Sequence, residues 1–284
     1  MKKQKICIIG GGLTGLATAS ALSDLDVDID LVIGKKNQNL FSNRTVAISQ
    51  NNLSFFDFAK TKFWPCKKMK LFSQNKKNSF FKIFDLEKNN RKIFYMIENS
   101  KLIKSIFKKI TEKNNVNLKV DETVDKIDSS GLLKKVVFKK HSSKYNLIIL
   151  CVGKNSNLTK NIFNDNSLKS SYEEVSITTI ATHNSFKNDT AKQVFLDKGI
   201  FALLPLSNFK TSIVWTVDKN LSKKNDSILK KNIEILCNDF LKNVKIKNNL
   251  EKNNLNFFIR EKYYDDRILL FGDALHGVHP FAGQ

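Results

Sequence analysis

Near its end the chain reads RILLFGDALHGVHPFAGQ, a stretch that sets Asp273, His276 and His279 close together behind an apolar run. Such residues could ligate a metal, relay protons to a nucleophile, or hold a large cofactor. A metal site is poorly supplied. The only histidines are His141, His183, His276 and His279, and no cysteine or acid stands at a spacing that would complete a tetrahedral ligand set. Acyl transfer lacks its nucleophile, because no G-x-S-x-G turn is present. The remaining chemistry is a carboxylate, Asp273, at the carboxyl end of a strand, where α/β sheets place their ligands and where it could accept hydrogen bonds from sugar-alcohol hydroxyls.

The opening CIIGGGLTG supplies the second constellation. Gly10, Gly12 and Gly15 stand in G-x-G-x-x-G spacing after an apolar run. The first glycine permits a tight turn, the second lets backbone approach a diphosphate, and the third lets a helix pack close to a strand with its N-terminus facing the phosphates. One usual part is missing: Gly34 occupies the place of the ribose-binding acid at the end of the second strand. Asp28 and Asp30 lie earlier and read as solvated strand residues.

The elements that must position these groups follow from periodicity. Residues 5–10 read as a buried strand, 13–24 as a helix and 29–33 as a second strand. A helix over 99–113 carries Leu102, Ile103, Ile106 and Ile110 on one face, and a buried strand follows at 146–152. Between 172 and 217, alternation of β-branched and aromatic residues predicts a mostly antiparallel sheet. Asp226 is the expected N-cap of a helix over 226–243. The RILLFG run at 267–272 repeats the texture of the first strand and predicts a return to the opening sheet.

The 284 residues suffice for one large domain or two joined ones. The net charge of +21 would ordinarily point to nucleic acid or an anionic surface. Only Arg44, Arg91, Arg260 and Arg267 are arginine among 48 basic residues, however, and Asn, Ile and Phe abound, as an AT-rich coding sequence would produce. No basic stretch has the aromatic interleaving of a single-strand binder, so no nucleic-acid partner is expected. The four scattered cysteines fit a reduced cytoplasmic compartment. The first residues mimic a secretory signal, but three consecutive glycines would weaken its helix.

Taken together, IIGGGLTGLATASAL, NRTVAIS, MIENSKL, NLIILCVGKNS, KQVFLDKGIFALLPL, SIVWTV and DRILLFGDALHGVHPFAGQ resemble the FAD-dependent aromatic hydroxylases, specifically the 2-polyprenylphenol hydroxylases of ubiquinone biosynthesis. The resemblance implies an α/β fold: a Rossmann-like FAD-binding domain (1–60, 95–170 and 258–284) interrupted by a mostly antiparallel β-sheet substrate domain (61–94 and 171–257). It implies FAD as cofactor, NAD(P)H as co-substrate, and hydroxylation of a polyprenylated phenol by O2 through a flavin hydroperoxide, with no catalytic side chain and no metal. Peripheral association with an anionic membrane or a ubiquinone-biosynthesis complex is a further expected partnership. A reductase or oxidase of the same fold, or a non-catalytic scaffold, stays open beside it.

By the same resemblance Gly10, Gly12, Gly15, Arg44, Asn99, Asp273, Pro280, Gly283 and Gln284 would contact FAD. Arg44 suits the diphosphate because its planar fork offers several donors; Asn99 could instead cap its helix. Phe201, Leu203, Pro205 and Trp215 would line or back the substrate sheet. The chain departs from the family at three places. Val152-Gly153 stands for an Asp-Gly pair, and Thr159 falls near a usual arginine. The family also runs on past AGQ, which makes a C-terminally truncated copy with weakened FAD binding the expectation.

Overall fold

A computed structural model describes residues 3–34, 43–75, 79–87, 91–154, 156–163 and 166–278. The chain divides into two compact units. The first draws on Met1–Leu40, Leu102–Ser170 and Phe257–Val278, the second on Phe41–Lys101 and Ser171–Asn256.

The first unit is built on a six-stranded sheet ordered Tyr264–Asp265, Ile268–Leu270, Leu147–Leu150, Gln4–Ile9, Val27–Ile33, Val116–Val120. All pairs are parallel except the Tyr264–Asp265 edge. Counting only the parallel strands in chain order, the sequence across the sheet is 3-2-1-4-5, the doubly wound order of dinucleotide-binding folds. The order reverses between Gln4–Ile9 and Leu147–Leu150, which opens a crevice at their carboxyl ends. Continuous apolar strands such as KICII and LIIL suit a sheet covered on both faces, and Cys7, Ile8, Ile148 and Leu150 are fully buried. The 267–272 run does return to the opening sheet, two strands from the first.

Asp30 is not a solvated strand residue. It is 4% exposed and accepts hydrogen bonds from the Tyr145 hydroxyl at 2.6 Å and the Asn117 amide at 3.1 Å, with the Lys5 ammonium 3.1 Å away. Burial alone would raise its pKa, but these three donors outweigh that and hold the carboxyl below its ordinary value.

Six strands of the second unit's large sheet run in the order Phe80–Glu87, Lys68–Gln74, Thr190–Phe195, Ile200–Ser207, Lys210–Asp218, Ser167–Thr182. Every pair is antiparallel except Lys68–Gln74 with Thr190–Phe195. A smaller antiparallel sheet joins Thr45–Ser49 and Trp64–Cys66 to either side of Phe94–Glu98. That pairing carries 43–60 and 95–101 into the second unit, whereas the sequence had grouped them with the first.

Helix Asp226–Cys237 covers one face of the large sheet through Leu229, Ile233 and Cys237, which pack with Ile177, Val194, Phe201, Leu203, Ile213 and Trp215. Each fully buried aliphatic side chain there contributes about 1.5–3 kcal/mol. The cap is Asn225 rather than Asp226: the Asn225 Oδ1 accepts from the Ser227 N–H at 2.9 Å. The helix stops at Cys237, short of the predicted 243, because Phe240 turns in to pack against Phe72 and Phe80.

Candidate functional site

In the first unit, strand Gln4–Ile9 ends at Gly10, whose φ of +133° is open only to glycine, and an added Cβ there would collide with the Cys151 carbonyl. The turn thus sits at the switch point, and Cys151 N–H donates to the Ile9 carbonyl at 2.8 Å across it. At Gly15 a Cβ would overlap the Gly10 carbonyl, so that the helix Leu13–Leu22 lies directly on the turn. Gly12 is the N-cap of that helix and offers no side chain to it. The first intrahelical bond is Leu16 N–H to Gly12 O, at 3.0 Å. Upstream amides therefore have no acceptor within the helix, and their partial positive charge faces the crevice.

The Asp273 segment meets this turn. Gly272 adopts φ +62°, and a Cβ on it would stand 2.5 Å from Thr14 Oγ1, on the first turn of the same helix. Asp273 lies exposed in the short 3-10 turn Gly272–Ala274. The turn is anchored by Arg260, 2% exposed, whose Nε donates to the Ala274 carbonyl at 2.8 Å and whose backbone N–H donates to Leu275 O at 3.1 Å. Sequence reasoning noted Arg260 as one of four arginines and gave it no role. Its rarity in a lysine-rich chain was the available signal, since a planar guanidinium can satisfy buried carbonyls that a flexible ammonium serves less well.

Arg44 and Asn99 are brought together in the second unit, where Asn99 N–H donates to the Arg44 carbonyl at 2.8 Å. Helix Asn99–Thr111 begins at Asn99 itself. Its side chain does not cap: Asn99 is 8% exposed, and its Oδ1 is buried without a hydrogen-bond partner. Pro280, Gly283 and Gln284 lie outside the described residues. Gly34 is exposed at the end of Val27–Ile33, with no acid in its place, and Val152 turns its side chain onto the apolar cluster of the first unit.

Phe201, Leu203 and Trp215 belong to the core under helix Asp226–Cys237, and Phe201 meets Trp215 edge-on at 6.4 Å. Pro205, two and four residues along the strand from Leu203 and Phe201, shares their face. These four back the sheet; they do not line an open face. Strand alternation sends neighbouring residues to opposite sides, and the sequence alone did not say which side the helix would take.

A nucleotide crevice at a Rossmann switch point, glycine-lined and faced by a carboxylate turn, defines the class. The chain belongs to the FAD binding domain family, whose match spans residues 3–284. It is 25% identical to the mitochondrial ubiquinone biosynthesis monooxygenase COQ6 of Caenorhabditis elegans, over 98% of this chain and 75% of that protein. It is 30% identical to the ubiquinone hydroxylase UbiL of Rhodospirillum rubrum, over 40% of this chain and 27% of that one. Both agree with the resemblance drawn from the motifs. Among solved structures, pqsL of Pseudomonas aeruginosa, described as a probable FAD-dependent monooxygenase, superposes with a TM-score of 0.80 at 11% identity, covering 100% of this chain and 82% of that one. The α/β architecture with its mostly antiparallel second sheet is therefore shared with FAD-dependent monooxygenases. Among the described residues no helix is long and apolar enough to cross a membrane.

Proposed function

We propose that this protein is an FAD-dependent monooxygenase that hydroxylates the ring of a polyprenylated phenol in ubiquinone biosynthesis, with NAD(P)H as reductant and O2 as oxygen donor. One observation carries the reading: Gly272 is seated against Thr14, so that the Asp273 turn adjoins the glycine turn at the switch point. The likeness to relatives named for ubiquinone biosynthesis supports the choice of a phenolic substrate.

The residues present fit FAD. The space beside Gly10 and Gly15 is too close for any side chain, and the amides at the start of Leu13–Leu22 lack helical acceptors. In this reading Gly10, Gly12 and Gly15 with the helix N-terminus hold the diphosphate, and Asp273 accepts hydrogen bonds from the ribitol. FAD held there would supply the redox chemistry, the oxidation of NAD(P)H and the activation of O2. The protein's own share is orientation and the exclusion of water. Arg260 holds the Asp273 turn in place from beneath.

The test is turnover of a prenylated phenol by the FAD-loaded chain under labelled dioxygen. One labelled oxygen atom in the product per NAD(P)H consumed is expected. Reduced or dehydrogenated product without label would replace this reading with a reductase or oxidase, and failure to take up FAD would replace it with a scaffold.

A further inference from the structure

We propose that the outer edge of the second unit's large sheet, strand Phe80–Glu87, pairs antiparallel with the same strand of a second copy of this chain. A two-fold axis relates the two strands, and Lys82 of each copy faces Asp85 of the other.

The strand ends its sheet, and among the described residues no strand pairs with its outer side. Such an edge offers a row of free backbone N–H and C=O groups, and native edges are commonly blunted by proline, by charge or by being short. FFKIFDLE is eight residues long and has no proline. Phe81, Ile83 and Phe84 are 49%, 50% and 48% exposed. Large apolar side chains gathered in water on one strand mark a surface that a partner covers.

Register decides which face each side chain takes. Glu87, Leu86, Asp85 and Phe84 pair with Lys68, Met69, Lys70 and Leu71, and Lys82, Phe81 and Phe80 pair with Phe72, Ser73 and Gln74. Ile83 is left over as a bulge. Paired residues share a face, so Phe80, Lys82, Asp85 and Glu87 lie on the side of Phe72, and Phe81, Phe84 and Leu86 lie on the other. Contacts agree with this division. Phe72 and Phe80 both pack on Phe240, and Lys70 and Lys82 both reach Asp85, at 3.5 and 2.8 Å.

The bulge makes the strand complementary to itself. A two-fold axis perpendicular to a sheet keeps every residue on its own face, so a residue can oppose only residues of that face. In an unbroken strand, residues an odd number apart lie on opposite faces; the extra residue between Lys82 and Phe84 reverses this. With the axis between Ile83 and Phe84, Lys82 meets Asp85, Phe81 meets Leu86 and Phe80 meets Glu87 of the other copy. Each of these pairs joins residues of one face, and all eight residues of the strand are matched. Registers centred on Lys82 or on Asp85 would set like charges against each other. A formal charge of +21 drives copies apart in general, but this strand carries one lysine against two acids and is a place where they can meet.

Sedimentation of the full chain across a dilution series tests this, and a dimer that dissociates on dilution is expected. Lys82→Asp and Asp85→Lys each weaken it about tenfold or more, because two opposite-charge pairs, worth up to roughly fivefold apiece, become like-charged. Mixed together, the two variants dimerise again, since each then faces the opposite charge at both positions. Lys139→Asp, the same charge change at an exposed position of the first unit, leaves self-association unaltered. Amide exchange gives a readout free of substitutions: protection of residues 80–87 rises with protein concentration, while that of the Tyr264–Asp265 edge does not. A monomer at every concentration, a Lys82→Asp dimer as tight as the parent, a mixture that stays monomeric, or exchange at 80–87 that ignores concentration overturns the inference.

Discussion

The glycine crevice of the first unit and the buried polar side chains of the second unit's sheet are made in opposite ways. At Gly10, Gly15 and Gly272 the surface is backbone, and the fold itself depends on nothing larger fitting there. At Thr178, Gln193 and Ser212 the surface is side chain, and the fold would be better off without those polar atoms. Damage to the first region should therefore lower stability and cofactor binding together. Damage to the second should leave stability level or raise it.

Gly10→Val should show the first behaviour most strongly. It adds steric overlap with the Cys151 carbonyl to a strained φ, costing about 3 kcal/mol or more and abolishing FAD uptake. Urea unfolding and flavin content measured on one preparation would check it. If stability fell and FAD content did not, the crevice would not be the cofactor's.

Tyr145→Phe asks whether the first unit has a second, non-functional point of weakness. It removes the 2.6 Å donor to buried Asp30 and should cost about 1–3 kcal/mol without changing FAD affinity once folded. The effect has a pH signature. Because the folded carboxyl titrates below its unfolded value of about 3.9, its contribution is fully present above that pH and disappears as pH falls through the lower folded value. Acid unfolding of the variant should approach that of the parent at the low end.

Gly272→Ala is milder, about 1–2 kcal/mol, since the obstacle is the Thr14 side chain, not backbone. Combining it with Thr14→Gly should recover part of the loss, and a double-mutant cycle with no coupling would detach the Asp273 turn from the helix start. Gln193→Leu provides the contrast: an unfolding free energy unchanged or raised by up to about 1 kcal/mol. A clear loss of stability there would show that Gln193 is already satisfied. Trp215→Phe should matter least, under about 1.5 kcal/mol and without effect on phenol affinity, because Trp215 backs the sheet.

The same distinction explains what could be foreseen from the residues. Gly10 and Gly15 were legible because a backbone requirement leaves only one residue type acceptable. The strand at 268–270 was legible because a sheet covered on both faces needs an unbroken apolar run. Phe201, Leu203 and Trp215 were visible as important but not as facing a helix, since alternation gives two faces without naming them. Asp30 looked solvated, because nothing local in VDID announces Tyr145 and Asn117, which arrive from distant strands. Asn225 was passed over for Asp226, as either residue can cap a helix and only the geometry at Ser227 N–H decides. The self-complementary edge depends on the bulge at Ile83, which no linear pattern encodes.

The seating of Gly272 on Thr14 joins segments far apart in the chain. On a ribosome adding about 5–20 residues per second, the glycine turn would emerge on the order of ten to fifty seconds before the segment that walls it. For roughly the first half of that interval the first strand also lacks its Leu147–Leu150 neighbour. A nascent chain of this kind has an exposed apolar edge and nowhere to keep a nucleotide, which makes it a customer for chaperones until the Ile268–Leu270 strand slots in.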